Sequence, residues 1–235
     1  MAKNAIVFGA RNLGRAIIED LIGRGWAVAA IARSDSTLEL ATAAGALAMR
    51  ADITDQASVA EALRQASEAH GRVDLAVNAA AAYGGTRSGP FGGGPIADAA
   101  PDAFDSWSAA PARSAFAFLS AAGRFAVEQG GPATLVQVTG GSARRAMPGR
   151  GLWAAGAFGV RAITLAAAQE LREQGIHVAL LIVDAGIEPF EDDSGDPAKA
   201  DPREIAQAVV FLAEQGARAA THELQVTPLA ERWLP

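Results

Sequence analysis

Two glycines with four residues between them carry the first chemical signal. Gly9-Ala10-Arg11-Asn12-Leu13-Gly14 follows the short apolar run Asn4–Phe8 and opens into Gly14–Gly23, where Ile17, Ile18, Leu21 and Ile22 fall at helical spacing. Glycine after a strand permits a tight turn. Glycine at the start of the next helix lets backbone N–H groups and the helix dipole meet a pyrophosphate. Two glycines alone are a weak motif, and a strand–helix turn without a ligand would look the same; first strand, first turn and following helix are what strengthen it. A second apolar run, Trp26–Ala32, leads into Arg33 and Ser34. A dinucleotide site discriminates its adenosine ribose at that strand end, where an acidic residue favours NAD and an arginine the 2′-phosphate of NADP. Arg33, with Arg11 in the turn, therefore points to NADP(H) over NAD(H), although either arginine could be a solvated surface charge. Asp52, followed by Ile53, could accept a bond from an adenine amino group or simply cap the next helix.

Composition narrows the classes. The chain has 235 residues, half of them hydrophobic and a fifth charged, enough for a full core. A net charge of −6 argues against nucleic-acid or anionic-membrane binding. There are no cysteines, which excludes disulfides, thiol nucleophiles and cysteine–zinc sites. The three histidines, His70, His177 and His222, are too scattered for a metal-ligand pattern, so no metal is expected. No membrane span is predicted from the apolar runs, and the first residues enter a strand pattern at once. A cytoplasmic protein acting on a small molecule is the expectation.

Positioning these residues requires alternating strands and helices. Strands are predicted at Asn4–Phe8, Trp26–Ala32, Ala46–Arg50, Val73–Asn78, Ala133–Thr139, Ile176–Val183 and Glu223–Thr227. Helices are predicted at Gly14–Gly23, Leu38–Ala44, Asp55–Ala69, Asp102–Gln129, Leu152–Glu173 and Pro202–Gln215, with Pro111 kinking the long one or starting its second part. Ile176–Val183 is continuously apolar, as a central parallel strand covered on both faces should be. The order implies one doubly wound α/β domain over 1–235 with right-handed crossovers. Two segments interrupt it: the glycine-rich stretch Gly84–Pro95, read as a mobile loop, and the acidic stretch Glu188–Asp201, read as a lid or surface loop. Both follow strand carboxyl ends, where such sheets bind ligands, or are tolerated insertions.

The sequence resembles the short-chain dehydrogenase/reductase family over essentially its whole length. The pieces that carry the likeness are Gly9-Ala10-Arg11-Asn12-Leu13-Gly14-Arg15-Ala16-Ile17, Asp52-Ile53-Thr54-Asp55, Asp74-Leu75-Ala76-Val77-Asn78-Ala79-Ala80-Ala81, Leu135-Val136-Gln137-Val138-Thr139-Gly140 and Gly175-Ile176-His177-Val178-Ala179. Phe158 through Val183-Asp184-Ala185-Gly186, with Thr221-His222-Glu223-Leu224, looks like a little-characterised branch of it. The resemblance implies a seven-stranded Rossmann-like sheet, mostly parallel, in order 3-2-1-4-5-6-7. It also implies a nicotinamide cofactor held by Gly9, Arg11, Asn12, Leu13, Gly14, Arg33, Ser34, Asp52, Ile53, Asn78, Ala79 and Ala80, and homodimers or homotetramers built on helices 102–129 and 152–173.

Departures from the family pattern are as informative as the matches. The glycine turn is one residue shorter and lacks a third glycine. The family's Asn-Asn-Ala-Gly after the fourth strand is here Asn78-Ala79-Ala80-Ala81. Where the family places its acid Tyr, with Lys four residues on, this chain has Trp153 and Ala157; the family Ser falls at Gly140 and the helical Asn near Pro111. The only tyrosine is Tyr83 and the only lysines are Lys3 and Lys199, so no shift of alignment restores a Tyr-x-x-x-Lys pair. Hydride transfer to a carbonyl builds charge on oxygen, which that pair quenches because the ammonium lowers the phenol pKa. An indole N–H can donate a hydrogen bond but cannot release its proton near neutrality. Tyr83, with Arg87 four residues on, is the weak alternative acid; packing of its ring in the loop is the plainer reading. Ser142, Arg144 and Arg145 could hold an anionic substrate or form a solvated turn. Trp153 could wall an apolar pocket or fill vacated space. Thr139 is one position off the family Ser, and His177 reads as structural. An NADP(H)-binding oxidoreductase-like protein with a degenerate catalytic tetrad follows; the alternatives are a catalytically silent scaffold or sensor, or an isomerase or cyclase.

Overall fold

The computed structural model describes residues 2–81, 89–191 and 194–232. Its core is a seven-stranded sheet of β1 (Asn4–Phe8), β2 (Ala27–Ala32), β3 (Leu47–Arg50), β4 (Leu75–Asn78), β5 (Ala133–Gly140), β6 (Ile176–Val183) and β7 (Glu223–Val226). The order is β3-β2-β1-β4-β5-β6-β7. Every pairing is parallel, so the sheet is wholly rather than mostly so. Parallel neighbours need crossovers, supplied by α1 (Leu13–Gly23), α2 (Asp35–Ala43), α3 (Gln56–His70), the long helix of α4 (Pro101–Phe104) and α5 (Ala110–Gln129), α6 (Gly151–Leu171) and α7 (Pro202–Ala213).

Strand alternation sorts the core into two layers. Val7 and Ala5 of β1, with Ala179, Leu181 and Val183 of β6, pack beneath α1 and α7. Ile6 and Phe8, with Ile176 and Val178, pack beneath α3 and α5, where Phe8 meets Phe118 edge-on at 5.6 Å. Leu180 and Ile182 join a smaller cluster with Ala115, Ala143, Ala157 and Val160.

Most elements fall within a residue or two of their sequence positions. Pro111 starts the second part of the long helix, as expected: it is the second residue of α5, and Asp105–Ala109 immediately before it winds as a π-helix between α4 and α5. Proline has no N–H for the carbonyl four residues back, at Trp107, and the wider turn accommodates that gap. Asp55, where the sequence places the start of the helix, caps α3, its carboxylate accepting from Ala57 N at 3.1 Å. Helix α2 starts earlier than the apolar spacing suggested, because Ser34 and Asp35 open it. The helical stretch Gly151–Gln174 is long and apolar enough to cross a membrane, although the run of residues alone did not suggest a span; here Ala154, Ala157, Val160 and Ala168 are buried in the fold.

Candidate functional site

The glycine turn is where β1, β4 and α1 converge. Gly9 has φ of +91°, a left-handed conformation that side chains resist, and a Cβ there would lie 2.6 Å from Ala80 Cα. Its N–H donates to Ile31 O of β2 at 2.8 Å, while Ala79 N donates to Phe8 O at 2.9 Å. A Cβ on Gly14 would lie 1.4 Å from Gly9 O, so α1 begins directly against the turn. Both glycines are thus required by close backbone approach, at the positive end of α1 and without a third glycine. Leu13 is buried and Arg11 exposed beside it. Asn12 does not cap its own helix; its side chain is taken by the segment after β6.

The ends of β2 and β3 form a second cluster. Arg33 Nη1 lies 3.9 Å from Asp52 Oδ2. Arg50 donates to the Arg33 carbonyl and pairs with Asp35. Ser34 Oγ shares a 2.7 Å hydrogen bond with Thr37. Asp52 accepts from Thr54 N at 2.9 Å and Thr54 Oγ1 at 2.8 Å. Burial opposes its ionisation, but the Thr54 bonds and Arg33 outweigh that and hold its carboxyl below the usual range. Ile53 is buried in the core. Arg50 was missed in the sequence; the register Ala32↔Arg50 between β2 and β3 is the signal that would have found it.

Asn78 is buried in an amide network, not aimed at open space. Its Nδ2 donates to Gln137 Oε1 at 2.9 Å and Ser114 Oγ at 3.4 Å, while its Oδ1 accepts from Ala80 N at 3.1 Å. It thereby fixes the strand end over which Gly9 passes.

At the carboxyl ends of β5 and β6, Gly140 faces the indole of Trp153: a Cβ there would lie 3.3 Å from Trp153 Cζ2. Phe91 packs edge-on against Trp153 at 4.5 Å and against Trp107 at 5.0 Å, and the Arg150 guanidinium sits 5.3 Å from its ring. The described part of the glycine-rich loop, from Gly89, therefore lays an aromatic wall over the start of α6. Ala157 is turned into the small apolar cluster instead of the cleft. Pro111 lies on α5; just before it, Trp107 O and Ser108 are so close to α6 that only glycine fits at 156. Ser142 is buried. Arg144 donates to Gln225 Oε1 at 3.0 Å, and Arg145 makes a two-pronged pair with Asp184 at 2.7 and 2.9 Å, so Arg145 already has an anion. Thr139 stands at the end of β5 beside Ile182. His177 and His222 meet edge-on at 5.7 Å near the opposite end of the strands, and no group of three or more metal-ligating side chains occurs among the described residues. Tyr83 and Arg87 lie outside the described residues.

A family model described as Enoyl-(Acyl carrier protein) reductase matches residues 7–226. No curated protein sequence matches the chain. Among solved structures, an alcohol dehydrogenase from the archaeon Thermococcus sibiricus complexed with 5-hydroxy-NADP is 22% identical, with a TM-score of 0.82 and coverage of 100% of both chains. A short-chain dehydrogenase/reductase from Serratia marcescens is 25% identical, with a TM-score of 0.77 and coverage of 96% of each chain. A metagenomic short-chain oxidoreductase in complex with NADP is 24% identical, with a TM-score of 0.75, covering 97% of this chain and 98% of that one.

Proposed function

The chain belongs to the short-chain dehydrogenase/reductase family, and from that premise we propose that it binds NADP(H) and acts on a small carbonyl or alcohol compound through a proton donor other than the family's Tyr–Lys pair. The observation that carries the binding half is the cradle itself, where Gly9 and Gly14 admit no Cβ and α1 opens onto the gap. In this reading Gly9 to Gly14 hold the pyrophosphate through backbone N–H groups. Arg33, fixed near Asp52 and joined by Arg50, meets the 2′-phosphate. Ser34, Asp52, the Ile53 backbone, Ala79 and Ala80 border the adenosine half. Two of the similar structures carry NADP or a derivative, which supports the same choice. The bound nicotinamide would supply a hydride equivalent, which the protein's own side chains cannot.

What this chain contributes at the reacting end is apolar. Trp153 can donate one hydrogen bond to a ligand oxygen and exclude water, and Ser142 and Arg144 border the same strand ends. None of the groups at 140, 153 and 157 exchanges a proton near neutrality. Acid–base assistance is worth about 10²–10⁴ in rate, so turnover relying on proximity alone should be slow by that factor. NADPH titration followed by energy transfer from tryptophan tests the binding half; no saturable signal to millimolar NADPH or NADH rejects it.

One observation favours a second reading, a cofactor-binding scaffold or sensor without catalysis. Ala157 sits in an apolar cluster with Ala115, Ala143 and Val160, so the fold has closed over the place a lysine would need. Any carbonyl or alcohol turned over and lost on Tyr83→Phe rejects that reading; a silent panel with intact coenzyme binding supports it. A non-redox isomerase or cyclase using the same cleft would show turnover with no change in coenzyme absorbance. Self-association through helices 102–129 and 152–173 fits both readings. Phe116 of α5 and Phe158 of α6 are 54% and 43% exposed, unusual for aromatics on long apolar helices. Light scattering should give a dimer or tetramer. We place the protein in the cytoplasm.

A further inference from the structure

Phe190 is gripped by two guanidinium groups from different helices. Arg15 of α1 lies 4.7 Å from its ring centroid and Arg203 of α7 lies 4.4 Å away. Arg203 Nη2 also donates to the Phe190 carbonyl at 3.0 Å, and Arg15 pairs with the neighbouring Glu191. From the other side, Asn12 of the glycine turn donates through Nδ2 to Glu188 O at 3.1 Å and accepts from Phe190 N through Oδ1 at 2.7 Å. The segment that leaves β6 is thereby strapped to the mouth of the turn by contacts made wholly within the protein.

We propose that Asn12 and Phe190 form a latch that controls how fast a dinucleotide enters and leaves the glycine turn. The proposal rests on the coenzyme reading above. Backbone atoms of Glu188 and Phe190 stand within hydrogen-bond distance of Asn12, the residue that opens α1, so the strap closes one side of the turn. Asn12 is accordingly a positioning residue: its amide holds the strap and is not available to a phosphate. The two cation–π contacts and the paired amide bonds set the closed population before any ligand arrives. Weakening them enlarges the open population, which speeds entry and exit together and leaves affinity nearly unchanged.

Arg203→Met and Phe190→Leu test this without touching the turn. In the coenzyme-free chain, hydrogen exchange of the Phe190 amide should be slow and should quicken about tenfold in either variant, the scale expected for losing a cation–π or a hydrogen-bond contact. Stopped-flow NADPH binding should show association and dissociation rate constants both raised by a similar factor, with Kd changed by less than about twofold. Arg203 is more than half exposed on its helix, so its variant keeps the fold even if the Phe190 variant does not. NADPH binding with unchanged rates overturns the latch, as does a Phe190 amide that exchanges freely in the unaltered chain. An unaltered chain that protects Phe190 yet binds no NADPH overturns the coenzyme reading instead.

Discussion

Trp153 rests against Gly140, with its Cζ2 3.3 Å from where a Cβ on that glycine would stand. The two positions are coupled: a side chain at 140 fits only if the indole gives way by a few tenths of an ångström. Gly140→Ser should therefore destabilise the fold by about 1–2 kcal/mol through overpacking. Gly140→Ser with Trp153→Phe should recover most of that loss, giving non-additivity in a double-mutant cycle read from urea midpoints. Additive effects would show that the indole moves aside at no cost.

Restoring a lysine is expected to fail for a separate reason. Ala157 is buried at 2% exposure among Ala115, Ala143, Val160, Leu180 and Ile182. An ammonium there has no carboxylate in that cluster to meet. Ala157→Lys should cost on the order of 3 kcal/mol, the scale of an uncompensated buried charge. Trp153→Tyr combined with it should then gain no reductase activity. Thermal denaturation and a carbonyl-reductase assay on the same preparations check both halves; a stable, active double variant would show the cleft to be more open than the apolar cluster suggests.

The sheet order and nearly all its elements were legible because burial on both faces writes continuous apolar runs such as Ile176–Val183, and because crossover helices write their own period. The cradle was legible too: a glycine with φ of +91° beneath α1 leaves a mark in the sequence wherever it occurs. Relations across elements were not. Asn12 reads as a turn residue and Phe190 as a loop aromatic, with nothing local to join them at a separation of 178 residues. Arg145 reads as a free cation until Asp184, just past the end of β6, is brought to it. The π-turn before Pro111 escaped because proline announces a missing donor but not how the helix will adjust.

Gly14→Ala tests whether the cradle tolerates any side chain. The added methyl would start 1.4 Å from Gly9 O, a backbone atom that cannot swing aside, and helix α1 would have to shift as a body. The outcome expected is loss of folded yield, or at least about 2–3 kcal/mol of stability together with loss of coenzyme binding. Leu13→Ala on the same turn serves as the comparison: it opens a cavity at the α1 start without driving α1 off Gly9. If both variants bind NADPH alike, the close approach is not what shapes the site.

Arg33→Ala should separate the two coenzymes. Arg33 is 61% exposed and 3.9 Å from Asp52, so its removal should alter stability by less than about 0.5 kcal/mol. A lost charge-assisted contact to a 2′-phosphate is worth about 1.5–3 kcal/mol, so NADPH affinity should fall by roughly tenfold to a hundredfold while NADH affinity stays level. Arg50→Ala should give a smaller fall in the same direction, since Arg50 reaches Arg33 through its carbonyl. Equal losses for both coenzymes would assign Arg33 a structural role.

Acid should loosen the strap through Glu188. Its carboxylate accepts from Ser194 N at 2.8 Å and pairs with Lys199 at 3.0 Å, and these partners hold its pKa below the usual glutamate range. A folded-state pKa depressed in this way contributes stability that is fully present above the unfolded value of about 4.3 and is lost as pH falls through the folded one. Asp52, held low by Thr54 and Arg33, contributes with the same sign, so the total pH profile cannot assign the effect. The difference between the unaltered chain and Glu188→Gln can. Glu188→Gln should be less stable near pH 6 and should converge with the parent only once the pH has fallen below the depressed folded-state pKa of Glu188, where both are uncharged at that position. Hydrogen exchange should place the change between Glu188 and Ala200, where the Glu188 N–H donates to the Ala200 carbonyl and the Ala200 N–H to the Gly186 carbonyl, tying the strap to the base of α7. Parallel profiles at all pH values would mean that the ion pair adds nothing, and that the strap is held by Asn12 and the two arginines alone.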